Sequence, residues 1–228
     1  MNANTVENRF ADLVNRSIAN NSRRFFEKTR VTVQLGHCSM SVGAKEIVDE
    51  VSASLSDPET LTISGCDGAC FEAPVVIVGK KRHRFVTLES VPEIVNDHQS
   101  EKSHHEDTSG SFFESQTRIA LFGCGVLDAV DTEEYLANNG YAAVSVSLQL
   151  SPENVIEEVK ESGLRGRGGA YYPAALKWEA AKNVRNTPRF LVVNCEEGEP
   201  GIFKDRHLME GVPHRIIEGA IIAAYAAR

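Results

Sequence analysis

Gly163–Lys177 reads GLRGRGGAYYPAALK, and a second stretch, Asn194–Arg206, reads NCEEGEPGIFKDR. Four glycines fall at positions 163, 166, 168 and 169, with Arg165 and Arg167 among them. Glycine admits backbone conformations closed to other residues and lets a ligand come close to the main chain. Consecutive N–H groups in such a turn form an anion-binding hollow, and guanidinium groups add paired donors suited to phosphate. The stretch therefore reads either as a phosphate-cradling loop or as a glycine-rich surface turn with two solvated arginines. It is not the GxGxxG dinucleotide fingerprint. Gly166 and Gly168 supply the first GxG, but Tyr171 stands where the third glycine would be.

Working outward, SPENVIEEVKES at 151–162 predicts a helix. Ser151, Pro152 and Glu153 suit its first turn, and Ile156 and Val159 give it an apolar stripe ending at Gly163. On the other side, FLVVN at 190–194 predicts a buried strand. The polar cluster Asn194, Glu196, Glu197 and Gly198 then stands at that strand's end, where α/β folds place ligand groups. Pro200 and Gly201 turn the chain, and Lys204, Asp205 and Arg206 open a further polar segment.

Together, GLRGRGGA…P…LKW, NCEEGEPGIFKDR and PHRIIEGAIIAAYA resemble the FMN-binding half of the flavoprotein subunit of NADH:quinone oxidoreductase. They are equally similar to its relatives in NAD-linked hydrogenases and formate dehydrogenases. The resemblance covers roughly residues 112–228. It implies FMN and NAD(H) as cofactors and other subunits of an electron-transfer complex as partners. By that resemblance Arg165, Gly166, Arg167, Gly168 and Gly169 lie beside the FMN phosphate or ring. Lys177 faces the flavin, Tyr172 stacks on a nucleotide ring, and Asn194, Glu196, Glu197 and Gly198 hold the ring edge and ribityl hydroxyls. Three departures stand out. Tyr171 and Tyr172 replace a Gly-Phe pair, Glu196 replaces an aspartate, and the chain stops at Arg228. The family's Gly-Glu-Glu segment and the ligands of its [4Fe–4S] cluster are not in this sequence. The expectation is an incomplete or split subunit, poorly soluble alone. A non-catalytic docking remnant of such a subunit is the alternative.

Upstream, the pattern predicts a helix over residues 1–29 with Phe10, Leu13, Val14 and Ile18 on one face. A strand at 30–36, an amphipathic helix, a strand, a cysteine loop, another strand and a short helix near 91–98 follow. Such a small α/β domain, residues 1–97, resembles the thioredoxin-like [2Fe–2S] domain of the same oxidoreductases. Residues 98–111 hold no aliphatic or aromatic side chain and read as a linker, with His98, His104 and His105 either solvated or metal-binding. Beyond it, RIALFG at 118–123 predicts a strand, and Asp131 is an N-cap for a helix starting near Thr132. The whole is an α/β chain of two domains.

The five cysteines are Cys38, Cys66, Cys70, Cys124 and Cys195, an odd number that argues for a reducing compartment. Cys66-x-x-x-Cys70 on a glycine-containing loop presents two thiolates to one metal, and Cys38, at the end of a separate strand, is placed as a third ligand. Iron–sulfur clusters of this kind take four thiolates. The family pattern has a second cysteine near the position of Val33, so here the fourth ligand is missing or is a group such as His37. The other reading is a domain that has lost its cluster and keeps buried cysteines. Cys124 reads as structural.

Composition sets outer bounds. The chain has 228 residues, 42% of them hydrophobic and 25% charged, with a net charge of −8. No basic surface dominates, which argues against nucleic-acid binding. The N-terminal MNANTVENRFADLV lacks the apolar core of a secretory signal, and no apolar run approaches the ~18 residues of a membrane span. These features lead to the expectation of a cytoplasmic protein, at most peripheral to the inner membrane through partner subunits.

Overall fold

The computed structural model describes residues 3–25, 28–97 and 115–228. The region read as a linker, His98–Ser111, lies outside the described residues, and so do its three histidines.

The first half is built on one sheet. β1 (Val31–Gln34) pairs in parallel with β2 (Leu61–Ser64), from Val31 opposite Leu61 to Gln34 opposite Ser64. It pairs antiparallel with β3 (Val76–Val78), which forms a hairpin with β4 (Lys81–His83). The strand order is β2-β1-β3-β4. The parallel pair requires a crossover, and the helix Ala44–Ser54 supplies it.

The two faces of this sheet differ in chemistry. Val31, Val33 and Val76 meet Ile47 and Val51 of the crossover helix and Val91, Ile94 and Val95 of the helix Val91–Asp97, forming the main apolar core. The alternation of a strand then sends Thr32, Gln34, Thr62 and Ser64 to the opposite face. All four are buried there as well. Asp128 forms an isolated antiparallel bridge with Ser64, and Gln34 Nε2 reaches the Gly125 carbonyl at 3.4 Å. The second half thus covers a polar sheet face, and the hydroxyls of Thr62 and Ser64 are buried without a hydrogen-bond partner among the described residues.

The N-terminal helix Ala3–Arg24 packs along the helix Thr132–Ala137. Its buried face takes only part of the predicted stripe: Phe10 and Val14 are half-buried beside buried Ser17, while Leu13 and Ile18 are exposed. Charge fixes this crossing. Glu134 is 1% exposed; its carboxylate accepts from the Arg30 guanidinium and, at 3.0 Å, from the Asp128 N–H. Arg24 bridges Asp131 at 3.1 Å and donates to the Leu61 carbonyl at 2.9 Å.

The helices of the second half begin where their caps predict. Asp131 Oδ1 accepts from the Glu134 N–H, and Ser151 Oγ from the Asn154 N–H at 3.2 Å. The helix Pro152–Glu161 packs with Ala174–Lys182 and Pro213–Ala226 around Val155, Ile156, Ala175 and Ala226.

Two predicted strands are absent. Residues 118–123 form turns, with Gly123 and Gly125 at φ +87° and +80°. Residues 190–194 are irregular, with Phe190 and Val192 each 84% exposed. A strand exists only where a neighbour accepts its backbone hydrogen bonds. β2 offers Asp128 one bridge, and residues 190–194 enter no backbone hydrogen bond among the described residues. The polar cluster at 194–198 therefore follows an exposed apolar run, not the end of a buried strand.

Candidate functional site

Two loops carry the candidate residues. The first is the cysteine loop between β2 and β3. Cys66 Sγ and Cys70 Sγ lie 3.4 Å apart, and the Gly68 N–H donates to Cys66 Sγ at 3.2 Å. Cys38, in the single helical turn His37–Met40, lines the same small cavity with Ser39, Ala69 and Val75.

Buried charge holds this loop in place. Asp67 sits between the two cysteines. It accepts from Arg82 Nη1 at 2.6 Å, from Gln34 Nε2 at 2.7 Å and from the Ala69 N–H at 3.0 Å. Arg82 also donates to Glu72 at 2.7 Å, and Arg118 Nη2 donates to the Asp67 carbonyl at 2.6 Å. Burial alone would raise the Asp67 carboxyl, but these donors outweigh it and hold it below the usual carboxylate range.

The fourth group at this site comes from the other half of the chain. His207, in the helix Lys204–Gly211, points Nε2 at Cys70 Sγ from 3.7 Å. The ligand atoms of Cys66, Cys70 and His207 all lie within 4.8 Å of one another. His37 does not take this place: it is exposed and faces Glu210 at 3.6 Å. The approach of the helix rests on glycines. A methyl group built on Gly65 would stand 2.3 Å from Gly211 Cα, and one on Gly211 would stand 2.9 Å from Cys124 Sγ. Cys124 is buried, and its thiol donates to the His207 carbonyl at 3.6 Å.

Burial pushes the Cys66 thiol above its usual range, against the pull of the Gly68 N–H. Burial, with Cys66 alongside, pushes Cys70 up to about 11, opposed by His207. Burial likewise pushes Cys124 up to about 11. The residues do not fit a cluster on four thiolates: three are at hand, and the next donor is an imidazole.

The second loop is the glycine stretch. It is a small excursion closed at its base by an antiparallel bridge of Arg165 with Pro173, in which the Gly166 N–H donates to the Tyr172 carbonyl at 2.8 Å and the Ala174 N–H to the Leu164 carbonyl at 2.9 Å. The Arg165 guanidinium lies 5.3 Å over the Tyr171 ring. Tyr171 has φ +55° and Gly169 φ +105°. Methyl groups built on Gly168 and Gly169 would meet no atom within 4 Å. Among the described residues, the N–H groups of Arg167–Ala170 make no hydrogen bond. Free N–H groups, two guanidinium groups and open glycine faces fit the phosphate of a nucleotide.

The remaining sequence-derived residues are placed unevenly. Tyr172 and Lys177 are exposed at the start of the helix Ala174–Lys182. Asn194 Oδ1 accepts from the Glu196 N–H at 2.9 Å, a local turn. Glu197 caps the helix Lys204–Gly211, accepting from the Asp205 and Arg206 N–H groups at 2.7 and 3.1 Å. No hydrogen bond joins residues 194–198 to the glycine loop among the described residues. Asp67, Arg82 and His207 escaped the sequence reading. The one available signal was that Asp67 lies inside the cysteine loop and His207 directly follows the Asn194–Arg206 stretch.

Residues 159–228 match the family model described as the Nuo51 FMN-binding domain. The chain is 47% identical over 109 residues to an NADH-quinone oxidoreductase subunit of Rhizobium meliloti, a match covering 47% of this chain and 26% of the relative. It is 50% identical over 95 residues to an NADH-quinone oxidoreductase subunit of Aquifex aeolicus, covering 41% of this chain and 22% of the relative. It is 40% identical over 111 residues to the NADP-reducing hydrogenase subunit HndC of Solidesulfovibrio fructosivorans, covering 49% of this chain and 22% of the relative. The matched part thus spans about a quarter of the length of these relatives. The crystal structure of an NAD+-reducing [NiFe]-hydrogenase in the H2-reduced state aligns over 99% of this chain and 41% of its own, at 22% identity and a TM-score of 0.37. No described helix is long and apolar enough to cross a membrane.

Proposed function

We propose that this chain is part of the NADH-oxidising flavoprotein subunit of a multisubunit oxidoreductase. In that reading it binds FMN at the glycine loop and NAD(H) beside it, and its partners are the other subunits of the complex. The observation that carries the reading is that the FMN-binding-domain match includes a loop whose glycine faces and consecutive N–H groups stand open to a ligand. Arg165 and Arg167 hold the phosphate together with the backbone of Gly166–Gly169. Lys177 places a cation near the flavin ring, and Tyr172 offers an exposed aromatic face for a nucleotide ring. Asn194, Glu196, Glu197 and Gly198 approach the ribityl chain or ring edge, and Glu197 does so from a helix cap that also fixes the start of the Lys204–Gly211 helix. FMN, when bound, supplies hydride acceptance from NADH and release of single electrons.

The first half is read as a thioredoxin-like domain. Its β2-β1-β3-β4 order, with one parallel pair, a crossover helix and a hairpin, supports that reading.

The test is flavin binding by the whole chain. Titration with FMN is expected to quench flavin fluorescence at one site per chain, and NADH is expected to bleach the bound flavin's absorbance. Binding without bleaching would reduce the reading to a flavin carrier. Failure to bind FMN would leave the docking remnant as the better account.

A further inference from the structure

We infer that Cys66, Cys70 and His207 form a binding site for one tetrahedral metal ion of the zinc class, joining the two halves of the chain. The distances suit a single ion. Metal–sulfur bonds of about 2.3 Å and metal–nitrogen bonds of about 2.0–2.1 Å set sulfur–sulfur edges near ~3.8 Å and sulfur–nitrogen edges near ~3.6 Å. Here the sulfurs are 3.4 Å apart, and Cys70 Sγ lies 3.7 Å from His207 Nε2. The ligand atoms of all three residues lie within 4.8 Å of one another, within reach of one ion.

The imidazole is set up for the task. His207 is 3% exposed, and its Nδ1 lies 2.5 Å from the Phe203 carbonyl. A carbonyl only accepts, so Nδ1 carries the proton and Nε2 presents its lone pair to the thiols. A metal-bound histidine is commonly oriented in this way. Cys38 lines the adjoining cavity, with Arg206 Nη2 3.5 Å from its sulfur, and stands outside this three-atom group, so the fourth position falls to a water. Binding forms two metal–sulfur bonds and one metal–nitrogen bond, and the two thiol protons pass to solvent. The site shares no residue with the glycine loop.

The experiment is anaerobic titration of the full chain with cobalt(II). The expected result is one cobalt per chain with the absorption of tetrahedral thiolate coordination, displaced by zinc. His207→Leu, checked for fold by circular dichroism, is expected to weaken binding more than about tenfold, the least seen when merely a ligand's supporting partner is lost. Gly65→Ala, which pushes the Lys204–Gly211 helix away without touching a ligand, is expected to act in the same direction. Should both variants fail to fold, x-ray absorption of the zinc-loaded natural chain decides. Sulfurs at about 2.3 Å with one nitrogen at about 2.0 Å support the site. Unchanged binding by a folded His207→Leu, sulfur-only coordination, no bound ion, or preferential uptake of two irons with two sulfides would each overturn it.

Discussion

The cysteine loop and the glycine loop make opposite use of their backbones. In Gly65–Glu72 the main chain is tied down by buried charge, with Asp67 and Glu72 sharing Arg82. In Gly163–Pro173 two backbone hydrogen bonds close the base and the tip is left free. A loop that must hold thiols in a fixed geometry is built before any ligand arrives. A loop that must admit a large phosphate-bearing ligand keeps its donors open. The difference teaches that glycine does two jobs in this chain: at 65 and 211 it removes atoms so that segments can touch, and at 168 and 169 it removes atoms so that a ligand can.

The sharpest way to break this comparison is Arg82→Met. It leaves Asp67 and Glu72 as buried carboxylates without their shared cation, and a loss of about 3–5 kcal/mol is expected in urea unfolding. A loss below about 1 kcal/mol would mean that the cysteine loop is no more rigidly built than the glycine loop. A smaller effect of opposite sign is expected at the sheet face between the halves. Thr62→Val removes a buried hydroxyl that has no partner among the described residues and should stabilise by about 1 kcal/mol. Destabilisation would show that the hydroxyl is satisfied in solution. The smallest change is expected at the glycine loop. A Cβ added at Gly168 meets no atom within 4 Å, so Gly168→Val should leave stability within about 0.5 kcal/mol, while closing the approach to the N–H groups and weakening FMN binding measured by fluorescence. A folded variant that binds flavin as the natural chain does would place the phosphate elsewhere.

What could be read from the sequence was what neighbours in sequence decide. Asp131 and Ser151 cap their helices through residues three positions on. The β1 valines and the crossover helix announce a core by period alone. What could not be read depends on partners far along the chain. FLVVN has the composition of a strand, yet no described strand receives its hydrogen bonds. Phe10, Leu13, Val14 and Ile18 have the spacing of one stripe, but the helix turns Phe10, Val14 and Ser17 inward and leaves Leu13 and Ile18 exposed, with Arg24 paired to the distant Asp131. His207 reaches Cys70 across 137 positions, a pairing that no local pattern encodes.

The contact of Gly65 with Gly211 works as a gauge between the two halves. It has no flexible side chain to take up error, so the spacing it sets is that of bare main chain against bare main chain. Surfaces that meet through lysines or methionines can slide by an ångström and settle again. This seam either seats fully or stands open, and the imidazole four residues before Gly211 is delivered to the thiols or withheld with it.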